Sequence, residues 1–93
     1  MSAPPAPHPG DPLTDREIEI LYWTARGLRN AGVADHLFLT TDTVKTHLRR
    51  IFTKLDAHDR AHVVTRGFNG GYLWFDTTGR MRSGRPDTLR VVA

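Results

Sequence analysis

Two amphipathic segments of this chain are separated by only Phe38-Leu39-Thr40, and that spacing limits the fold more than any other feature. The first, Ala31 to Phe38, has room for two helical turns, with Val33, Ala34 and Leu37 as its apolar contacts. A helix that short needs a neighbour. The second, Thr40 to Leu55, places Val44, Leu48, Ile51, Phe52 and Leu55 at i, i+4, i+7, i+8 and i+11, which is one stripe of an α-helix. Two helices joined by so tight a turn cross at a steep angle, the geometry of a helix-turn-helix unit.

The longer helix has a polar front. Stepping about 100° per residue from Val44, the side opposite the stripe holds Asp42, Thr46, Arg49, Arg50 and Thr53, with Lys45 on one flank and Thr43 and Lys54 on the other. Thr40 or Thr41 serves as N-cap, leaving a positive helix end that suits a phosphate. In a helix-turn-helix the second helix enters the major groove of DNA while the first braces it across the backbone, and here the second helix is the basic one.

The remaining chain predicts two more helices. Thr14 and Glu17 form a capping box, with Leu13 and Ile18 placed as a hydrophobic staple, and Ile18, Leu21, Tyr22, Ala25 and Leu28 continue as one stripe until Gly27 marks the stop. Asn30 is the expected cap of the short helix. Asp59 caps a fourth helix through about Asn69, whose apolar residues Ala61, Val63, Val64 and Phe68 are spread widely enough to serve both a core and a subunit interface. Gly67, Gly70 and Gly71 weaken and end it.

Beyond lie Tyr72-Leu73-Trp74-Phe75, the turn Asp76-Thr77-Thr78-Gly79 and Arg80-Met81-Arg82, a spacing that permits a small β-hairpin. Arg80, Arg82, Arg85 and Arg90 make the C-terminal stretch a basic arm. Residues 1–12 hold five of the six prolines and no amphipathic period, and read as a disordered or extended tail. The expected organisation is thus a tail over 1–12, an all-α four-helix domain over 13–73, and an extension, hairpin or basic arm, over 74–93.

Composition narrows the function. The chain has no cysteine, which removes disulfides and thiolate zinc sites, and no apolar run long enough to span a membrane, so the reading is a soluble cytosolic protein. The net charge of +3 and sequence pI near 10.0 lean toward nucleic acid. His58 and His62 are spaced near i, i+4 but lack further ligands, so no metal site is expected. No paired carboxylates, activated nucleophile or phosphate-binding glycine loop supports catalysis, so neither enzyme activity nor a cofactor is expected.

Leu13-Thr14-x-Arg16-Glu17-x-x-x-Leu21, Ala25-x-Gly27-Leu28-x-Asn30, Ala34-x-x-Leu37-Phe38-Leu39-Thr40, Thr43-Val44-Lys45-Thr46-His47-Leu48, Ile51-Phe52-x-Lys54-Leu55 and Asp59-Arg60 together resemble the LuxR/GerE-type DNA-binding domain. The resemblance runs from Leu13 to about Leu73. It implies a four-helix domain that binds double-stranded DNA through its third helix, dimerises largely through its fourth, and regulates transcription. It also implies that Lys45, Thr46 and Arg49 face the groove, while Thr43, His47 and Asn30 approach the backbone. The chain departs from the family in carrying Ala31 and Gly32 after Asn30, where charged or polar residues are usual, and Gly32 should cost about 1 kcal/mol relative to alanine. With no receiver or ligand-binding domain ahead of it, the sequence resembles a stand-alone member.

The resulting expectation is a sequence-specific regulator, a homodimer in the cytoplasm and on the nucleoid. Lys45 and Arg49 reach guanine edges or phosphates, Thr46 a base edge, and Thr43, Arg50 and Thr53 complete the contact face. Protonation of His47 would strengthen binding below neutral pH. The alternative is a protein-interaction module that uses the fourth helix and aromatic hairpin to modulate a related regulator or RNA polymerase. A promoter-recognising module like the last domain of a sigma factor is a third.

Overall fold

The computed structural model describes residues 5–86. Its elements are α1 (Asp15–Ala25), α2 (Asn30–Leu37), α3 (Thr41–Leu55), α4 (Arg60–Asn69), β1 (Leu73–Phe75) and β2 (Met81–Ser83).

Helix α1 starts where the sequence dictates. Glu17 N–H donates to Thr14 Oγ1 at 3.1 Å, Thr14 N–H donates to Glu17 Oε1 at 2.8 Å, and Leu13 and Ile18 are both buried beside the cap. Gly27 ends it with φ +90, and Leu28 N–H reaches back to Trp23 O at 3.2 Å. The buried face is broader than the expected stripe, because α1 packs against α2, α3, α4 and β2 together. Ile20 is fully buried and Thr24 nearly so, its hydroxyl donating to Ile20 O, although neither lies on the stripe read from the sequence.

The expected cap of α2 is corrected. Arg29 occupies the N-cap with no side-chain bond, and Asn30 is the first helical residue. Its side chain is engaged elsewhere, as described below. Phe38 makes the turn into α3 in the left-handed region at φ 57, with Leu39 N–H donating to Ala34 O at 2.9 Å, and Thr40 caps α3 by accepting from Thr43 N–H at 3.2 Å. Asp59 caps α4 as expected, accepting from His62 N–H at 2.8 Å. His58 N–H donates to His62 Nδ1, and the two rings stack at 5.0 Å.

Gly67 does not terminate α4; it lies within the helix, at the close approach to α1 and β1. A Cβ there would sit 2.9 Å from Leu21 Cδ2 and 3.0 Å from Leu73 Cδ1, nearer than side-chain packing allows.

The hairpin forms. β1 and β2 pair antiparallel, with Leu73 opposite Ser83, Trp74 opposite Arg82 and Phe75 opposite Met81. Asp76 organises its turn by accepting from the N–H and hydroxyl of Thr78, from Arg80 N–H and from Arg82 Nε. Those bonds, the Thr78 hydroxyl first, hold its carboxyl far below the usual carboxylate range. Two strands alone are marginal in water, and this pair is held by the helical body. Leu73 is buried, Leu13 N–H donates to the Tyr72 hydroxyl at 3.0 Å, and Gly84 N–H donates to Tyr72 O. The boundary expected after residue 73 therefore falls inside β1.

The tail and arm are also corrected in part. Residues 8–11 form a turn in which His8 N–H donates to the Asp11 carboxylate and Asp11 N–H to His8 O, and Gly10 N–H donates to Lys54 O at 2.8 Å. A hydrogen-bonded turn against the end of α3 stands within the stretch expected to be disordered or extended; residues 1–4 lie outside the described residues. Arg82 and Arg85 are not free cations of an arm, since they pair with Asp76 and Asp15, each at 2.9 Å. Arg90 lies outside the described residues.

Candidate nucleic-acid interface

The buried side of α3 is set by what α1 offers it. Val44, Leu48 and Ile51 pack into the core, and so does Lys54, only 6 % exposed. Its Nζ lies 2.7 Å from Oε1 of Glu17, while Arg50 Nε lies 3.5 Å from Oε2 of the same carboxylate. Burial alone would push the Glu17 carboxyl up, but hydrogen bonds from Lys54 and Thr14 and the Lys54 charge together bring it below its ordinary value. Lys54 is therefore a core ion pair and not a flank of the basic face. Arg50, expected on that face, is half-buried with its guanidinium turned toward Glu17.

With the core side fixed, the outward side follows. Asp42, Lys45, Thr46, Arg49 and Thr53 are all exposed, whereas Thr43 and His47 are half-buried at the border. The threonines are not idle. Thr46 Oγ1 donates to Asp42 O at 3.0 Å and Thr53 Oγ1 to Arg49 O at 3.1 Å, so each hydroxyl has spent its hydrogen and keeps its two lone pairs, beside an exposed methyl group, for a ligand. Such a group accepts from a cytosine or adenine amino group or touches a thymine methyl, while Lys45 and Arg49 donate to guanine or phosphate. Thr43 shares a 2.9 Å hydroxyl–hydroxyl bond with the Thr40 cap. Nδ1 of His47 is buried with no hydrogen-bond partner among the described residues.

Asn30 joins this face from α2. Its Oδ1 accepts from Arg60 Nη1 at 2.7 Å, and Arg60 Nη2 donates to Leu28 O, also at 2.7 Å. Asn30, Lys45, Leu48, Arg49, Phe52 and Arg60 line a cleft of about 270 Å³ between the starts of α2 and α4 and the middle of α3. Arg60 was missed as a functional residue. Sequence alone shows it only as the position after a helix cap, and its partners are 30 and 32 residues away.

On α4 the four apolar residues separate. Val63 is fully buried inside the protomer, so its expected place in a subunit interface is corrected to a core position. Ala61 is exposed and Val64 and Phe68 half-buried. Phe68 stacks on Phe75 of β1 at 5.2 Å and 21°, and Phe75 is 63 % exposed.

The profile of the bacterial regulatory proteins of the luxR family matches residues 11–66, which contain α1 to α3 and most of α4. The chain belongs to this family. A luxR-family domain is a DNA-binding transcription-regulatory module, not an enzyme. Among curated relatives, the uncharacterized transcriptional regulatory protein YxjL of Bacillus subtilis is 44 % identical over 63 residues, covering 68 % of this chain and 29 % of YxjL. The transcriptional regulatory protein LiaR of the same organism is 48 % identical over 56 residues, covering 60 % and 26 %. Among solved structures, the response regulator ChrA of a heme-sensing two-component system superposes with a TM-score of 0.62 at 41 % identity, over 66 % of this chain and 30 % of ChrA. The luxR-family chain thus spans under a third of the length of these relatives. Its hairpin, residues 73–83, lies beyond the matched stretch. No helix among the described residues is long and apolar enough to cross a membrane.

Proposed function

We propose that this luxR-family chain recognises a specific duplex DNA sequence through α3 and regulates transcription as a homodimer in the cytoplasm, associated with the nucleoid. The observation that carries the reading is the outward row Lys45, Thr46, Arg49 and Thr53, exposed together on a helix whose other side is locked into the core. Lys45 and Arg49 contact base edges, Thr46 and Thr53 accept from or pack on them, and Asn30, Thr43 and His47 meet the backbone. Arg50 belongs to this set through the end of its long side chain, which leaves Glu17 when a phosphate offers a closer partner. Ala61, Val64 and Phe68 form the dimer face, and α4 joins two half-sites into an inverted repeat.

Selection of bound duplexes from a random pool, followed by titration of the winner and a scrambled control at two salt concentrations, tests the reading. The expected result is an enriched inverted repeat bound at least about a thousandfold tighter than the control. Weak, sequence-blind binding would overturn it.

A second reading has one specific observation in its favour. The stacked pair Phe68 and Phe75 presents an aromatic surface that DNA recognition through α3 does not use. In that reading the chain docks on a related regulator or on RNA polymerase, and its binding is insensitive to salt, whereas binding to phosphates is steeply salt-dependent.

A further inference from the structure

We propose that Arg60 is a positioning residue for DNA binding, which fixes the Asn30 amide so that its NH₂ group donates to a backbone phosphate seated in the cleft between α2, α3 and α4. This rests on the duplex-binding reading above and extends it to a residue of the fourth helix.

The argument starts from donor chemistry. A guanidinium has only N–H donors, so the Asn30 atom facing Arg60 at 2.7 Å must be the carbonyl oxygen. The amide is thereby oriented. Nδ2 is the remaining group, and it has no hydrogen-bond partner among the described residues. The second arm of the fork, Nη2 on Leu28 O at 2.7 Å, anchors the guanidinium to the loop between α1 and α2, so Asn30 is held against a fixed point and not against a mobile side chain. Asn30 lines the same cleft as Lys45 and Arg49, the two exposed cations of α3. Leu48 and Phe52 line this cleft beside the Asn30 amide and the two α3 cations, Arg60 being engaged with Asn30 and Leu28 O, so the ligand it suits is an anion.

The local sequence makes Asn30 carry more of this contact than its surroundings would otherwise require. Arg29 at the N-cap makes no side-chain cap bond, and Ala31 and Gly32 contribute no polar side chain to the first turn of α2. Asn30 is then the sole polar side chain among the first three helical positions, and a freely flipping amide would present its oxygen to a phosphate half of the time. Arg60 removes that alternative.

The test uses the full chain and a random-sequence duplex, since a backbone contact is independent of sequence, with Arg60→Met, Asn30→Ala, Asn30→Asp and Lys45→Ala compared across a salt series. Asn30→Asp keeps an acceptor for Arg60, and hence the fold, while replacing the donor with a negative charge. The expected result is a loss of affinity of about tenfold or more for N30D and a smaller loss for R60M. R60M should cause no further loss in the N30A background. Its salt slope should match that of the parent, whereas K45A should flatten the slope by about one. Thermal unfolding followed by circular dichroism checks the fold of each variant, and if R60M does not fold, N30D decides. Parental affinity in N30D, or a further loss and flattened slope for R60M on top of N30A, would overturn the inference, the latter making Arg60 a direct phosphate ligand. Loss of binding in K45A alongside unchanged N30D would leave recognition through α3 standing and remove only the role of Arg60.

Discussion

Lys54 Nζ and Glu17 Oε1 are 2.7 Å apart, and both side chains are almost wholly buried between α1 and α3. This pair fixes the rotation of α3 about its own axis, because a buried ammonium has one place to go. Removing the cation alone leaves a carboxylate in the core with the Thr14 N–H and, as its one remaining cation, the more distant Arg50. Lys54→Met is expected to destabilise the domain by about 3 to 5 kcal/mol in urea unfolding, and the double variant Glu17→Gln/Lys54→Met by clearly less. Equal losses in the two would show that the pair is not electrostatically coupled.

The same carboxyl makes stability depend on acid. Glu17 is held below its ordinary value of 4.5 in the fold, so its contribution is fully present above that value and is lost as pH falls through the lower folded one. Unfolding free energy measured from pH 7 downward should therefore drop below about pH 4.5, with the drop reduced in Glu17→Gln. An identical acid limb in the variant would assign the drop to other groups.

Two helical glycines should respond oppositely to alanine, although helix propensity favours alanine at both by about 1 kcal/mol. At Gly32 the nearest atoms to the new Cβ are Leu28 side-chain carbons at 3.4 Å, and Gly32→Ala is expected to raise stability by about 0.5 to 1 kcal/mol. At Gly67 it meets two core leucines at 2.9 and 3.0 Å, and the overpacking, about 1 to 3 kcal/mol, outweighs the gain. Chemical denaturation of both variants reads the two signs directly.

Neighbouring arginines of α3 should separate by effect. Arg49→Ala is expected to reduce discrimination between the selected and scrambled duplexes by about 1 to 3 kcal/mol with little change in stability. Arg50→Ala should weaken both duplexes alike and lower stability by up to about 1 kcal/mol through loss of its contact with Glu17. Equal weakening of both duplexes by R49A would remove its base-reading role.

Phe75→Ser tests the face made by α4 and the hairpin. Phe75 is 63 % exposed and stacks on Phe68 of the proposed dimer face, so if that face extends onto the hairpin its loss should cost no more than about 1 kcal/mol in unfolding while raising the dimer dissociation constant about tenfold or more in sedimentation equilibrium, and an unchanged dissociation constant would confine the dimer face to α4. Val63→Ala should do the reverse, costing about 2 kcal/mol of stability with dimerisation affected only through folding.

What was legible in the sequence is what neighbours decide. The Thr14–Glu17 box, the Asp59 cap and the hairpin turn at Asp76 each involve residues a few positions apart and formed as read, and of the two threonines that could cap α3 it is Thr40 that does. Lys54, Arg50, Ile20, Val63 and Asn30 were misread or incompletely read for a common reason. Their surroundings are supplied by other elements: Glu17 lies 37 residues from Lys54, and Arg60 lies 30 from Asn30. A helical wheel assumes one apolar neighbour on one side. α1, which is packed on several, and α3, whose core edge includes an ion pair, both break that assumption.

The hydrogen bond from Leu13 N–H to the Tyr72 hydroxyl closes the chain on itself across 59 residues. The family profile matches residues 11–66, and a fragment cut at residue 66 would keep every residue of α3 yet lose the acceptor of a buried amide and uncover the site that Leu73 fills. The helices that face DNA are a smaller unit than the one that folds, and any fragment made for binding studies should be bounded by the second.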